Sequence, residues 1–319
     1  MENRCVYVTD EAMQQRLTGW PVLKTVAAGC RLIAGVDGEG VLHGDSVSYI
    51  RAPYWTGLRA LAADRHNAGV LFGLRGDGTC LLAKDPFAGW SNDRLFPRTK
   101  TDNRDYTFLH HFVHSLTGVV QIAATGSMFL ALDGAGRVHA LVYVGLSYSG
   151  PVSPYTYDWL SQLAREVSGW EGVRQILLAE PELIVAQKHD GELLIAGYAN
   201  DLYGTFGRSR LASLRDRKLT DACGYYGGES MHFAFLDDEG RLISLRYPET
   251  EDRFLQIEGL GHTFLALRRD GRVVCFQDGF EEITASWPPM RQISLGRRRI
   301  GVYDDLFLAG LPARPSNSN

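Results

Sequence analysis

The chain has 319 residues, a formal net charge of −4, and 11% aromatic side chains. The acid excess argues against a general polyanion binder, so nucleic acid is not the expected partner. No run of about 18 apolar residues offers a membrane span, and Met1–Trp20 carries acids and glutamines where a secretory signal would be apolar, so a cytoplasmic location is expected. The five cysteines (Cys5, Cys30, Cys80, Cys223 and Cys275) are odd in number and scattered, which reads as free thiols in a reducing compartment rather than a disulfide framework.

In chain order, a short β-prone segment from Arg4 to Val8 comes first, followed by a phrase that recurs. It consists of a tryptophan, two variable residues, an aliphatic, a basic residue, a variable residue and an aliphatic. Trp20 to Val26 is the first copy, Trp55 to Leu61 the second, Trp170 to Ile176 the fourth and Trp287 to Ile293 the seventh. Val119–Ile122, Leu219–Ala222 and Phe254–Ile257 are copies without the tryptophan. An apolar stretch and a tight polar turn follow each phrase, at Asp37–Gly40, Gly76–Gly78, Asp133–Gly136, His189–Gly191, Asp237–Gly240, Arg269–Gly271 and, degenerately, Tyr303–Asp305. Asp-Gly between apolar runs is a strong hairpin signal, because the turn needs positive φ and glycine supplies it without steric cost. The spacing suits strand, turn, strand, turn, and the mean period is about 44 residues, in the range of propeller blades.

These features predict an all-β, seven-bladed β-propeller of four-stranded antiparallel blades, closed by the N-terminal segment joining the last blade, as a single domain over residues 1–311 with a tail at 312–319. Such a join removes exposed sheet edges. The closed unit reads as a monomer. The four phrase tryptophans are expected to be equivalent packing residues, and the turn aspartates to be turn formers.

The repeats Gly118–Gly126 with Phe129–Leu132, and Gly259–Leu267 with Asp270–Val273, resemble those of the regulator of chromosome condensation family. Ala196–Gly207 is similar to that family's glycine-rich closing element. The resemblance covers roughly residues 20 to 310, and it implies a propeller rather than a reaction, since members include exchange factors for a small GTPase, chromatin binders, bacterial effectors and an enzyme inhibitor. His262, and less clearly His232, match the repeat's histidine, which reads as a satisfied structural residue.

Two stretches break the period. Residues 85–116 insert aromatics and the histidines His110, His111 and His114; residues 146–169 insert Tyr148, Tyr155, Tyr157 and a segment from Trp159 to Val167 with helical spacing. Both start on the face expected to carry Arg31, Arg65-His66, Tyr225-Tyr226, His262 and Arg297-Arg298-Arg299, the last three in a loop between strands. Aromatic and arginine side chains are enriched at binding hot spots. Trp90, Tyr106, Tyr155, Tyr157, Trp159, Arg297, Arg298 and Arg299 are therefore the candidate contacts for a protein partner; the competing reading has the aromatics packed as lids over the outer strands. No carboxylate or cysteine completes a metal motif beside the histidines, and no nucleophile elbow or phosphate-cradling loop is present. No catalytic residue, metal ligand or cofactor is assigned. The expected function is a non-catalytic protein-binding propeller; the alternatives are a propeller lyase or hydrolase with a site in the central funnel, and a nucleotide exchange factor. Loops near the axis rich in Gly, Ala, Arg and Tyr favour binding.

Overall fold

The computed structural model describes residues 5–30, 32–45, 55–65, 70–84, 101–125, 128–143, 154–180, 183–197, 214, 216–227, 230–244, 247, 250–277, 280–300 and 303–313. A two-residue strand, β1 (Tyr7–Val8), and helix α1 (Glu11–Arg16) come first. Blade 1 follows as β2 (Leu23–Gly29), β3 (Leu32–Asp37) and β4 (Leu42–Gly44), and blade 2 as β5 (Leu58–Ala63), β6 (Val70–Arg75) and β7 (Cys80–Lys84). Helix α2 (Thr101–Ser115) leads to blade 3, β8 (Val119–Ala124), β9 (Met128–Asp133) and β10 (Val138–Val142). Helix α3 (Pro154–Ser168) leads to blade 4, β11 (Val173–Glu180), β12 (Leu183–Lys188) and β13 (Leu193–Gly197). Blade 5 is β14 (Leu219–Gly227), β15 (Ser230–Asp237) and β16 (Leu242–Ser244), and blade 6 is β17 (Phe254–Leu260), β18 (Thr263–Arg268) and β19 (Val273–Gln277). After helix α4 (Glu281–Thr284), β20 (Met290–Ile300) and β21 (Tyr303–Pro312) form blade 7 with β1.

The expected join is present. Tyr7 pairs with Gly310 and Val8 with Ala309, so the N-terminal strand completes the last sheet. The expected fourth strands are not: among the described residues each of the seven sheets has three strands. Helices lie against several of the outer strands among the described residues. Helix α1 packs on β1, α2 on β7, α3 on β10 and α4 on β19, which shields unpaired strand groups as a further strand would.

Each phrase forms the start of an inner strand, and its basic position is a β-bulge in every blade. The register skips at Lys24, Arg59, Val120, Arg174, Thr220, Leu255 and Arg291. A bulge leaves its residue out of the ladder and re-aims its side chain. Arg59 Nη2 donates to the Val119 carbonyl of the next blade at 2.9 Å, Arg174 Nη2 to that of Leu219 at 3.3 Å, and Arg291 to those of Lys24 and Leu23.

The hairpin glycines sit where the sequence places them, with φ of 81° at Gly40 and 84° at Gly271. A Cβ on Gly40 would lie 2.9 Å from the Leu58 nitrogen. The reason is contact as well as conformation: Leu58 N donates to the Gly40 carbonyl, and the same bond recurs from Val119 to Gly78, Val173 to Gly136, Phe254 to Gly240 and Met290 to Gly271. The turn aspartates act as expected. Asp37 Oδ1 accepts from the nitrogens of Glu39 and Val41, and Asp133 Oδ1 from those of Ala135 and Arg137.

Seven buried clusters fill the seven gaps between neighbouring blades, including the gap between blade 7 and blade 1, where Val26, Ala28 and Ile33 meet Phe307, Ala309 and Leu311. Each phrase tryptophan is half-buried in the gap between its own blade and the one before: Trp20, Trp55, Trp170 and Trp287 occupy equivalent places, as anticipated.

Candidate functional site

The sequence candidates fall into three groups. Trp90 lies outside the described residues, as do Arg31 and His66. Tyr106 belongs to α2 and Tyr155 and Tyr157 to the first turn of α3, with side chains outside the description. Trp159 is half-buried on the cluster between blades 3 and 4, beside Leu163 and Val167, so the indole helps seat the helix.

Arg297, Arg298 and Arg299 are not in a loop. They extend β20 in a long hairpin, opposite Leu306, Asp305 and Asp304 of β21. Tyr225 is not on a face either: its ring is buried and stacked on Phe264, with centroids 4.5 Å apart and 4° between planes. His262 is exposed in the turn between β17 and β18.

The described helices of the two insertions, α2 and α3, pack against outer strands. Leu109 and Val113 of α2, with Leu116 just after it, are buried with Cys80 and Leu82 of β7; Leu163, Ala164 and Val167 of α3 are buried near Val138 of β10. Phe108, at the flank of the buried face of α2, is 62% exposed. His110 and His114, one helical turn apart, bring their ring centroids to 4.1 Å.

A second site lies on the axis, where sequence reasoning did not look. The inner strands of all seven blades enclose a cavity of about 250 Å³. Its wall is asymmetric. Blades 1 to 4 contribute Ala27, Ala62, Ala123 and Leu177, whereas blades 5 to 7 contribute Asp221, Cys223, Glu258 and Ser294. Arg65, from the end of the blade 2 inner strand, reaches Glu258 of blade 6 at 2.8 Å. Blades 2 and 6 are not neighbours, so this ion pair crosses the axial space.

Asp221 Oδ2 accepts from the Ile257 nitrogen at 2.9 Å and Oδ1 from that of Ala222 at 2.9 Å. Burial, with Glu258 nearby adding repulsion, pushes its pKa up to about 7 against the opposing pull of these N–H groups and Arg65. A carboxyl that exchanges its proton near neutrality, next to an ionised pair, can accept or donate a proton or take up a cation. The composition expected of the loops near the axis does not describe this strand-built wall, which joins alanines to Asp221, Glu258 and Arg65.

A signal for this site does exist in the sequence. The position before the last aliphatic of the phrase is Gln in blades 3, 4, 6 and 7 and Asp only in blade 5. Those glutamines clasp the next blade. Gln121 donates to the Ile176 carbonyl at 2.7 Å and accepts from its nitrogen at 2.8 Å; Gln256 does the same to Ile293 at 2.8 and 3.0 Å, and Gln292 to Val26 at 3.0 and 3.2 Å. Ionised Asp221 can only accept, and it replaces a neutral clasp by a titrating one.

No protein-family profile matches the sequence, and no curated protein sequence matches it. Solved structures do match in shape. The complex of Kap60 with yeast RCC1 (Prp20) aligns with a TM-score of 0.53 and 12% identity over 91% of this chain and 80% of that one. Human WBSCR16 gives 0.50 and 13%, over 92% and 87%. The CRINKLY WD40 ectodomain of the Arabidopsis thaliana receptor kinase ACR4 gives 0.50 and 12%, over 88% and 93%. At such identities the likeness concerns the fold alone: the chain has an all-β, propeller-type architecture similar to that of yeast RCC1. No helix among the described residues is long and apolar enough to cross a membrane.

Proposed function

We propose that the chain is a non-catalytic, protein-binding β-propeller whose partner docks across the two insertions. The observation that carries this reading is the placement of α2 and α3 on the outer strands of consecutive blades, with Phe108 held 62% exposed on α2 by the buried Leu109 and Val113 beside it. Additions to a rigid scaffold are where binding residues concentrate. An aromatic displayed by an anchored helix binds with little ordering cost. Trp90, Tyr106, Tyr155, Tyr157 and Trp159 remain the proposed apolar contacts, and Arg297 to Arg299 a charged arm at the blade 7 hairpin. The complex of yeast RCC1 with Kap60 is one instance of a similar fold engaged by a protein.

Affinity capture on the immobilised chain, with captured proteins identified by mass spectrometry, tests the reading. Phe108→Ser should weaken capture by about tenfold, the scale of a modest hot spot, with an unchanged melting temperature. Capture unaltered both by Phe108→Ser and by replacing Arg297–Arg299 with alanine removes the proposal.

The second reading is an enzyme working in the axial cavity, favoured by Asp221 with its pKa near 7 beside Glu258 and Arg65. Asp221→Asn would abolish such an activity and leave partner capture untouched.

A further inference from the structure

The junction between blades 5 and 6 lacks a donor that three other junctions have. Gln121, Gln256 and Gln292 each set an amide NH2 on a carbonyl of the next blade, at Ile176, Ile293 and Val26. At the same step Asp221 accepts from the Ile257 nitrogen and, once ionised, has no proton to offer the Ile257 carbonyl. In an antiparallel ladder the N–H and C=O of one residue point to the same side, so that carbonyl is directed toward Asp221 as its nitrogen is. Both residues line the axial cavity, and Glu258 follows on the same wall. Oxygen acceptors therefore gather where three other junctions hold an N–H.

Charge favours the same kind of occupant. Among the described residues, the charged or titratable groups of the lining are Asp221, Cys223, Glu258 and Arg65. Arg65 reaches Glu258 at 2.8 Å, and its pull on Asp221 is smaller than the repulsion from Glu258. Two carboxylates thus share one guanidinium, and ionised Asp221 is left poorly compensated. A second cation in the cavity offsets that cost. Among the described residues no set of three or more His, Cys, Asp and Glu is grouped to hold a metal ion, so the cation that fits is one carrying its own N–H donors.

The far side of the wall sets the rest of the ligand. Ala62, Ala123 and Leu177, from blades 2, 3 and 4, present hydrocarbon to the cavity. Its volume of about 250 Å³ falls just below the roughly 300–1,000 Å³ of ordinary ligand pockets, which limits the occupant to a compact molecule.

We propose that the axial cavity binds a small organic ammonium ion, its N–H groups on Asp221 and the Ile257 carbonyl and its hydrocarbon part against the alanine side. The site needs neither a reaction nor a protein partner, so it stands or falls separately from both readings of function above. Binding requires the carboxylate form of Asp221. With its pKa near 7, the ionised fraction falls about tenfold between pH 8 and pH 6, and the affinity falls with it.

Ligand-observed NMR titration of the intact chain with n-butylammonium, beside n-butanol and n-butyrate at matched ionic strength, tests the site. At pH 8 the ammonium ion should bind about tenfold more tightly than the alcohol, the scale of one charge-assisted hydrogen bond. Asp221→Asn keeps an acceptor for the Ile257 N–H and removes the charge. It should bring the ammonium ion down to the affinity of the alcohol and flatten the pH profile, with a melting curve showing that the variant is folded. Equal binding of n-butanol overturns the proposal, since it would leave an apolar cavity only. Preference for n-butyrate overturns it too, because Arg65 would then be the grip. The proposal also fails if n-butylammonium does not bind, or if its binding ignores both pH and the Asp221 substitution.

Discussion

Blade 7 and blade 5 build the same three-stranded unit from different residues. Blade 7 keeps the whole phrase: Trp287 is half-buried against blade 6, Arg291 and Gln292 reach blade 1, and the middle-strand residue opposite Ile293 is Gly310. A Cβ on that glycine would stand 2.8 Å from Trp287 Cζ3. Blade 5 has Asp216 at the tryptophan position, Thr220 at the bulge, Asp221 at the clasp and Ala222 as the last aliphatic. Opposite Ala222 stands Phe235, which is 1% exposed. The aromatic has moved from the strand entrance to the middle strand, and it fills the gap toward the preceding blade from there. Four other blades obey the same rule, and blade 6, with Glu251 at the tryptophan position and Ala266 opposite Ile257, fills its gap with Tyr225 and Phe264 instead. Gly35, Gly73 and Ala186 accompany Trp20, Trp55 and Trp170, and blade 3, which has no tryptophan, buries Leu116 with the α2 cluster instead. What recurs is the filled volume of each gap, with residue identity free to vary around it.

The largest test of that rule is Phe235→Ala. If Phe235 substitutes for a phrase tryptophan, its truncation leaves a cavity between blades 4 and 5 and costs about 4 kcal/mol, measured by denaturant unfolding. A loss under about 1 kcal/mol would mean that blade 5 does not rely on this side chain. Trp287→Ala comes next. The indole is half-buried and touches Tyr7, ring centroids 5.9 Å apart, so the expected cost is about 2–3 kcal/mol, below the value for full burial. It should also loosen the N-terminal strand, read as faster amide exchange at the Tyr7 and Val8 positions.

Gly310→Ala sharpens the comparison through coupling. Alone it overpacks the Trp287 ring and should cost about 1–3 kcal/mol. Introduced together with Trp287→Ala, the added methyl finds space, and the double variant should be more stable than the sum of the two losses implies. Strict additivity would show that the glycine is required for some reason other than the indole.

The repeat, the turns and the closing strand were legible in the sequence because they depend on local signals: Asp-Gly turns, alternating apolar strands, and a last unit one strand short. That the described residues give each sheet three strands was not legible, since the hairpin spacing marks the inner turns and carries no signal for what lies at the outer edge. Trp159 reads equally as a contact or as a packing residue until its neighbours Leu163 and Val167 are placed. The axial cluster was hidden for a geometric reason. Asp221, Glu258 and Arg65 are far apart in the chain and on three different blades, and only the closed ring brings them to one cavity.

The smallest expected effect is also the most specific to blade 5, because it turns on Asp221 standing where blade 7 has Gln292. An aspartate whose folded pKa is raised to about 7 binds its proton more tightly folded than unfolded. Between the ordinary aspartate value of 3.8 and about 7 the native state therefore holds more protons than the unfolded chain, and stability falls as pH rises across that window, reaching a constant penalty above it. Asp133 has the opposite sign: bonds from Arg137, His139 and backbone N–H groups hold it at about 2, so its contribution is present above the usual carboxylate range and is lost as pH falls toward 2. Asp221→Asn should thus be indistinguishable from the parent near pH 4 and more stable above pH 7, by about 1 kcal/mol once solvent in the axial cavity is allowed for. The asparagine amide can also donate, which restores part of the clasp that Gln292 makes in blade 7. Melting curves from pH 4 to pH 8 measure the difference. A gain independent of pH would assign the effect to the restored hydrogen bond and remove the buried charge from blade 5.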